Sequence, residues 1–304
     1  MKRRSVLIPS IFLSIIVLSF LLTPNLKAAT YANPQYLMET ETLAKQLGKK
    51  GLIAVDTRAP ELYREGHIKG AINLPKRLLT GMVGGVKDMI LPVKELEKVI
   101  GSRGISPQNH LVFYEERTGN LATQHFWIFD TLGHKKISIL NGGITKWARE
   151  KRPIDTVEKK LPPVTYKAKY DVSRVATLEE VNNSLGKKDV VLVDCRTEDE
   201  YKGRVPSREV TRAGRIPKAI CINWVNNITT KDGFKVLKSA DELLSLYEKA
   251  GVTRNKEVIT YCKDSSRSSN TYFVLRLLGY PKVSNYDGSM MEWGNIRDLP
   301  IEKE

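Results

Sequence analysis

The chain has 304 residues, 41% hydrophobic and 27% charged, with a formal net charge of +15 and three cysteines. This composition excludes a disordered chain and an integral membrane bundle, and the length suits one large domain or two of ordinary size. Three cysteines cannot all pair, which excludes a disulfide scaffold, and the basic residues are scattered rather than gathered with aromatics into a nucleic-acid stripe.

In chain order, Lys2, Arg3 and Arg4 precede an apolar run over residues 6–22, and small residues follow at Ala28, Ala29 and Ala32. This is the layout of a secretory signal peptide over residues 1–32, or of an N-terminal membrane anchor if it is retained. The destination read from it is outside the cytoplasm, periplasmic or extracellular. Cleavage removes Lys2, Arg3, Arg4 and Lys27 but no acid, leaving about +11, a field that draws in small anions.

Beyond the leader, short β-branched runs alternate with helical stretches. Residues 53–56, 111–114 and 137–140 read as strands. Residues 78–91, with Met82, Met89 and Gly84-Gly85, read as a mobile flap over a cleft. The charged stretch 150–163, holding Pro153, Pro162 and Pro163, reads as a linker. Thr177-Leu178-Glu179-Glu180 is a helix capping box, and strands recur at 190–194, 258–261 and 283–286.

The second set repeats the first. Leu47-Gly48-Lys49-Lys50 through Val55-Asp56-Thr57-Arg58 returns as Leu185-Gly186-Lys187-Lys188 through Val193-Asp194-Cys195-Arg196. Gly66-His67-Ile68 returns as Gly214-Arg215-Ile216, Tyr114-Glu115 as Tyr261-Cys262, and Asn141-Gly142-Gly143 with Trp147 as Asp287-Gly288-Ser289 with Trp293. The order is kept throughout, so two homologous α/β domains are expected at residues 33–149 and 164–304. Each is a mostly parallel sheet with helices on both faces and its site at the carboxyl ends of the strands.

Cys262 ends one such strand and opens the loop Lys263-Asp264-Ser265-Ser266-Arg267-Ser268, after which apolar residues recur at helical spacing (Phe273, Val274, Leu277, Leu278). The thiol then faces a helix N-terminus, whose field, with that of Arg267, favours a nucleophilic thiolate. Ser265, Ser266 and Ser268 add hydroxyl donors, and Lys263 and Arg267 are candidate binders of an anionic substrate.

These stretches resemble the rhodanese family in its tandem form, over about residues 36–300. The resemblance implies an inactive first domain, with Glu115 at the thiol's position, and a catalytic second domain. It further implies a sulfurtransferase carrying sulfur as a Cys262 persulfide, with no metal or cofactor. The partners it implies are a small anionic sulfur donor, thiosulfate ahead of 3-mercaptopyruvate, and a thiol, cyanide or protein acceptor. Any membrane contact would come through an uncleaved leader. The places where thiosulfate enzymes of this type carry basic residues hold Asp264 and Glu200 here, and Asp264 is expected to face solvent or to pair with Lys263 or Arg267.

Other readings of the same residues are an exported sulfur carrier without turnover, a thiol redox sensor, and an anchored binding protein. Cysteine phosphatases and arsenate reductases place five residues between Cys and Arg; four lie between Cys262 and Arg267, the shorter, sulfur-sized ring. Cys195 and Cys221 read as core. Asp56 with Arg58 and Asp194 with Arg196 read as structural ion pairs, and Trp147 and Trp293 as packing residues. None of His67, His110, His125 and His134 has metal-ligand spacing.

Overall fold

A computed structural model describes residues 30–304. The leader read over residues 1–32 lies outside the described residues except for its last three. Continuous runs such as Leu-Ile-Ala-Val-Asp and Val-Val-Leu-Val-Asp bury both faces, so they form central strands of parallel sheets rather than one-sided antiparallel ones. Two five-stranded sheets result, parallel throughout. The first runs Leu37–Met38, Ile137–Leu140, His110–Tyr114, Leu52–Asp56, Ile72–Asn73. The second runs Val175–Ala176, Val283–Tyr286, Glu257–Tyr261, Val190–Asp194, Ile220–Cys221, in the same topological order. The six strands read from sequence stand within one residue of their expected places.

Two helices join the sheets into one body. Helix α1 (Asn120–Thr131) follows strand His110–Tyr114, and helix α2 (Ser266–Leu277) follows Glu257–Tyr261. Each lies against its own sheet and against the other helix, so each is buried on nearly every side. Phe126 meets Phe273 edge-to-face at 4.9 Å, a preferred aromatic geometry. Asp130 takes the Tyr272 hydroxyl at 2.6 Å and Arg276 Nε at 3.0 Å. Helix α2 divides lengthwise: its apolar end fills the shared core, while its polar beginning, Ser266 to Thr271, is buried except for the half-buried Arg267.

The expected linker is tied down. Ile154–Asp155 pairs antiparallel with His67–Ile68, and just past the linker Val164, Lys169 and Asp171 donate N–H groups to Gly101, Leu132 and Thr131. The repeated ion pairs form as read: Arg58 reaches Asp56 at 2.7 Å and Arg196 reaches Asp194 at 2.6 Å, all four buried. Trp147 and Trp293 are core residues that each donate Nε1–H to a proline carbonyl, of Pro153 and Pro300, at 2.9 Å.

Two hairpins outside the sheets tie each unit to the other. Thr80–Val83 and Val86–Ile90 turn at Gly84-Gly85, and Ile228–Lys231 and Phe234–Leu237 turn at Asp232-Gly233. All four turn residues have positive φ, as two-residue hairpin loops require. The stretch read as a flap is the first of these hairpins, and its Ile90 N–H reaches across to Asp287 Oδ2 at 3.0 Å. The second answers it, with Leu237 N–H on Asn141 Oδ1 at 3.2 Å.

Candidate active site

Cys262 stands at the carboxyl end of Glu257–Tyr261, fully buried under its loop. Ser265 closes the loop in the left-handed region at φ 62° and caps helix α2. A second serine holds the loop from below. Ser289 Oγ accepts the N–H of Cys262 at 3.3 Å and of Ser265 at 3.2 Å, and donates to Tyr286 O at 2.8 Å. Ser289 itself has φ 49°, a backbone conformation costly for a residue with a side chain. Its counterpart Gly143, at φ 57°, could carry no side chain: a Cβ there would lie 2.4 Å from Glu115 O.

The loop residues read as site residues divide in their placement. Ser268 is brought to the thiol: its hydroxyl lies 3.6 Å from Sγ and 3.1 Å from Ser265 O, and its one proton is shared between these two acceptors. Ser265 turns inward to Asp287 Oδ1 at 3.4 Å, and Ser266 turns outward to accept Lys76 Nζ at 3.0 Å. Lys263 pairs with Asp264 at 3.6 Å. Asp264 is turned inward rather than to solvent, with Oδ1 4.0 Å from Sγ and Oδ2 4.0 Å from Lys76 Nζ. Burial pushes its pKa up, but Lys76 and Lys263 outweigh that and hold it below the usual range. Among the described residues, the N–H groups of Lys263, Asp264, Arg267 and Ser268 meet no acceptor, as expected of a tight loop running into a first helical turn.

Arg267 is committed elsewhere. Its guanidinium makes a two-pronged ion pair with Glu200, at 2.7 and 2.9 Å. Burial disfavours its charge, but the Glu200 carboxylate more than compensates and raises its pKa. Burial likewise pushes Glu200 up, yet Arg267 and Ser207 bring it down to about 2. The carboxylate that stands where thiosulfate enzymes carry a base therefore neutralises the loop arginine. Burial pushes Asp287 up to about 7, against the N–H of Ile90.

Sequence reasoning missed Ser289, Asp287 and Lys76. Ser289 had a signal, a serine where the repeat has Gly143; the others are set by contacts across 190 residues or more. Of the other thiols, Cys195 is fully buried and desolvation raises its pKa well above normal. Cys221 is half-buried on an edge strand, and burial pushes it up to about 11. The histidines are held apart in the first unit. His67 stacks on Tyr63, His110 bonds Ser138, His125 lies between two carbonyls and His134 meets Tyr166.

At Cys262's place in the first unit stands Glu115. Its Oε1 accepts the N–H of Leu121 at 2.8 Å and of Ala122 at 3.1 Å, so the carboxylate fills the mouth of its own helix. Burial pushes it up to about 7 in spite of these bonds.

The sequence matches the rhodanese-like domain twice, over residues 39–150 and 177–296. It is 37% identical over 287 residues to the sulfur carrier protein TtuD of Thermus thermophilus, covering 90% of this chain and 98% of that one. It is 34% identical over 279 residues to the thiosulfate sulfurtransferase of Pseudomonas aeruginosa, covering 90% and 99%. Among solved structures it is similar in fold to an anaerobic ergothioneine biosynthesis enzyme from Chlorobium limicola, with TM-score 0.79 and 23% identity over 90% of this chain and 71% of that one.

Proposed function

The chain belongs to the rhodanese family, with the domain present in tandem, and is a transferase that moves sulfur; on that premise we propose that Cys262 carries the sulfur as a persulfide. The observation that supports this most is that Cys262 opens a loop whose N–H groups at Lys263, Asp264, Arg267 and Ser268 meet no acceptor among the described residues, with Ser268 Oγ 3.6 Å from Sγ. The Cys262 thiolate attacks the outer sulfur of an anionic donor, thiosulfate ahead of 3-mercaptopyruvate. A new S–S bond forms as the donor's own sulfur bond breaks, and for thiosulfate, sulfite leaves with the electron pair. On this reading the N–H groups of Lys263, Asp264, Arg267 and Ser268 hold the outer, negatively charged sulfur. A thiol, cyanide or protein acceptor then attacks that sulfur and returns the Cys262 thiolate. Ser289 and Asp287 hold the loop in shape, and Arg267, neutralised by Glu200, positions rather than collects. Thiosulfate:cyanide kinetics test the reading. Parallel double-reciprocal lines, lost in Cys262→Ser, are expected; turnover that survives this substitution would overturn it.

A sulfur carrier with slow turnover is the second reading. It is favoured by the resemblance to a named sulfur carrier and by the complete burial of Cys262. Stable loading with negligible thiocyanate formation would select it. We further propose that residues 1–32 export the protein; an intact leader on the cytoplasmic protein would refute this.

A further inference from the structure

The second unit spends its own cations internally, Arg267 on Glu200 and Lys263 on Asp264. An anionic donor needs another cation near the loop, and the first unit provides one. The Lys76 side chain is about one-fifth exposed, with its ammonium 3.0 Å from Ser266 Oγ, 3.2 Å from Asp88 and 4.0 Å from Asp264. Asp264 in turn lies 4.0 Å from Sγ. Behind Lys76 is a cavity of about 550 Å³, lined among others by Thr57, Lys76, Arg77, Thr80 and Asp88. Its other acid, Glu61, is paired with Arg64 at 3.1 Å. Arg77 is exposed there and has no carboxylate within salt-bridge distance among the described residues. The cavity thus ends at a lysine one carboxylate away from the thiol, with an exposed guanidinium beside it whose charge also acts on Glu61.

We propose that this cavity on the first unit receives the anionic end of the sulfur donor, and that Lys76 passes it to the Cys262 loop. The inference rests on the sulfur-transfer reading. It gives the unit without a thiol a part in substrate selection: a small dianion exchanges Asp88 and Asp264 for itself as the partner of Lys76. Lys76 is then a specificity residue, and Arg77 a collecting one.

Alkylation separates this claim from turnover. Cys262 of the full chain is alkylated with anionic iodoacetate and with neutral iodoacetamide, and modification is followed by peptide mass mapping. In Lys76→Met the iodoacetate-to-iodoacetamide rate ratio should fall about tenfold, in Arg77→Met about threefold, with the iodoacetamide rate unchanged. Lys76→Arg should restore most of the ratio. The thiosulfate KM should rise in step with kcat held. An unchanged ratio, or an equal fall with both reagents, would overturn the inference, the second showing a structural role. If the ratio falls but thiosulfate loads not even the wild type, the anion subsite stands and the sulfur-transfer reading fails instead.

Discussion

The Glu115 and Cys262 loops occupy the same place in two sheets of one topology, and they handle the same helix field in opposite ways. In the first unit the chain supplies its own acceptor: the Glu115 carboxyl folds onto the N–H groups of Leu121 and Ala122. Four residues separate it from helix α1, against three between Cys262 and helix α2, so the Glu115 loop is also wider. In the second unit the loop is tightened by Ser289, and its outer N–H groups meet no acceptor among the described residues. Gly143 makes the equivalent turn in the first unit without a hydroxyl. The difference teaches what a withheld partner can do: in the first unit the N–H groups are satisfied by a carboxyl whose pKa burial still pushes up to about 7, and on the proposed reading the second unit keeps them open for a transferred sulfur.

Four changes break or sharpen that contrast, from the largest effect down. Cys262→Ser should lower sulfur transfer by at least about 10³-fold, read as thiocyanate formation, because the nucleophile itself is gone. Ser289→Gly makes the turn beneath Cys262 like the one beneath Glu115. It strands the N–H groups of Cys262 and Ser265 while relieving the left-handed strain, so loading should fall about tenfold and stability by only about 1 kcal/mol in urea unfolding.

Glu115→Gln should change pH dependence more than stability. Glu115 and Asp287 have folded pKa values raised to about 7, so between the ordinary carboxylate range and 7 the folded state binds more protons than the unfolded one. Stability should therefore fall as pH rises from 5 to 8. The glutamine, which keeps the acceptor but cannot ionise, should recover about 1–3 kcal/mol of that loss at pH 8. Melting curves at both pH values check this; an unchanged slope would show that Glu115 is ionised freely in the fold. Smallest of all, Glu115→Cys should gain no measurable persulfide, because the wider loop and the absent serine remain.

The strands Leu52–Asp56, His110–Tyr114, Val190–Asp194 and Glu257–Tyr261 were legible because each holds a short run dominated by aliphatic and aromatic residues, which leaves little choice of structure. The internal repeat then announced the second sheet. The edge strands Ile72–Asn73 and Ile220–Cys221 have two residues each, too few for any periodic signal, and both hairpins went unread for want of a strong alternating pattern. At the site, Cys262 and Ser268 were recoverable from local order. The pairing of Arg267 with Glu200 was not, nor the reach of Lys76 to Ser266, since these depend on how distant segments pack. The expectation that Arg267 collects the donor came from its charge alone; its partner was invisible in the loop's own sequence.

The most direct test of the central claim is to locate the transferred sulfur among the three thiols. The reduced protein is treated with thiosulfate, digested without reductant and mapped by mass spectrometry, then treated again with cyanide. One additional sulfur on the Cys262 peptide, removed by cyanide and absent from the Cys195 and Cys221 peptides, is the result the account predicts. Sulfur on either other thiol, or Cys262 unloaded while thiocyanate still forms, would contradict it.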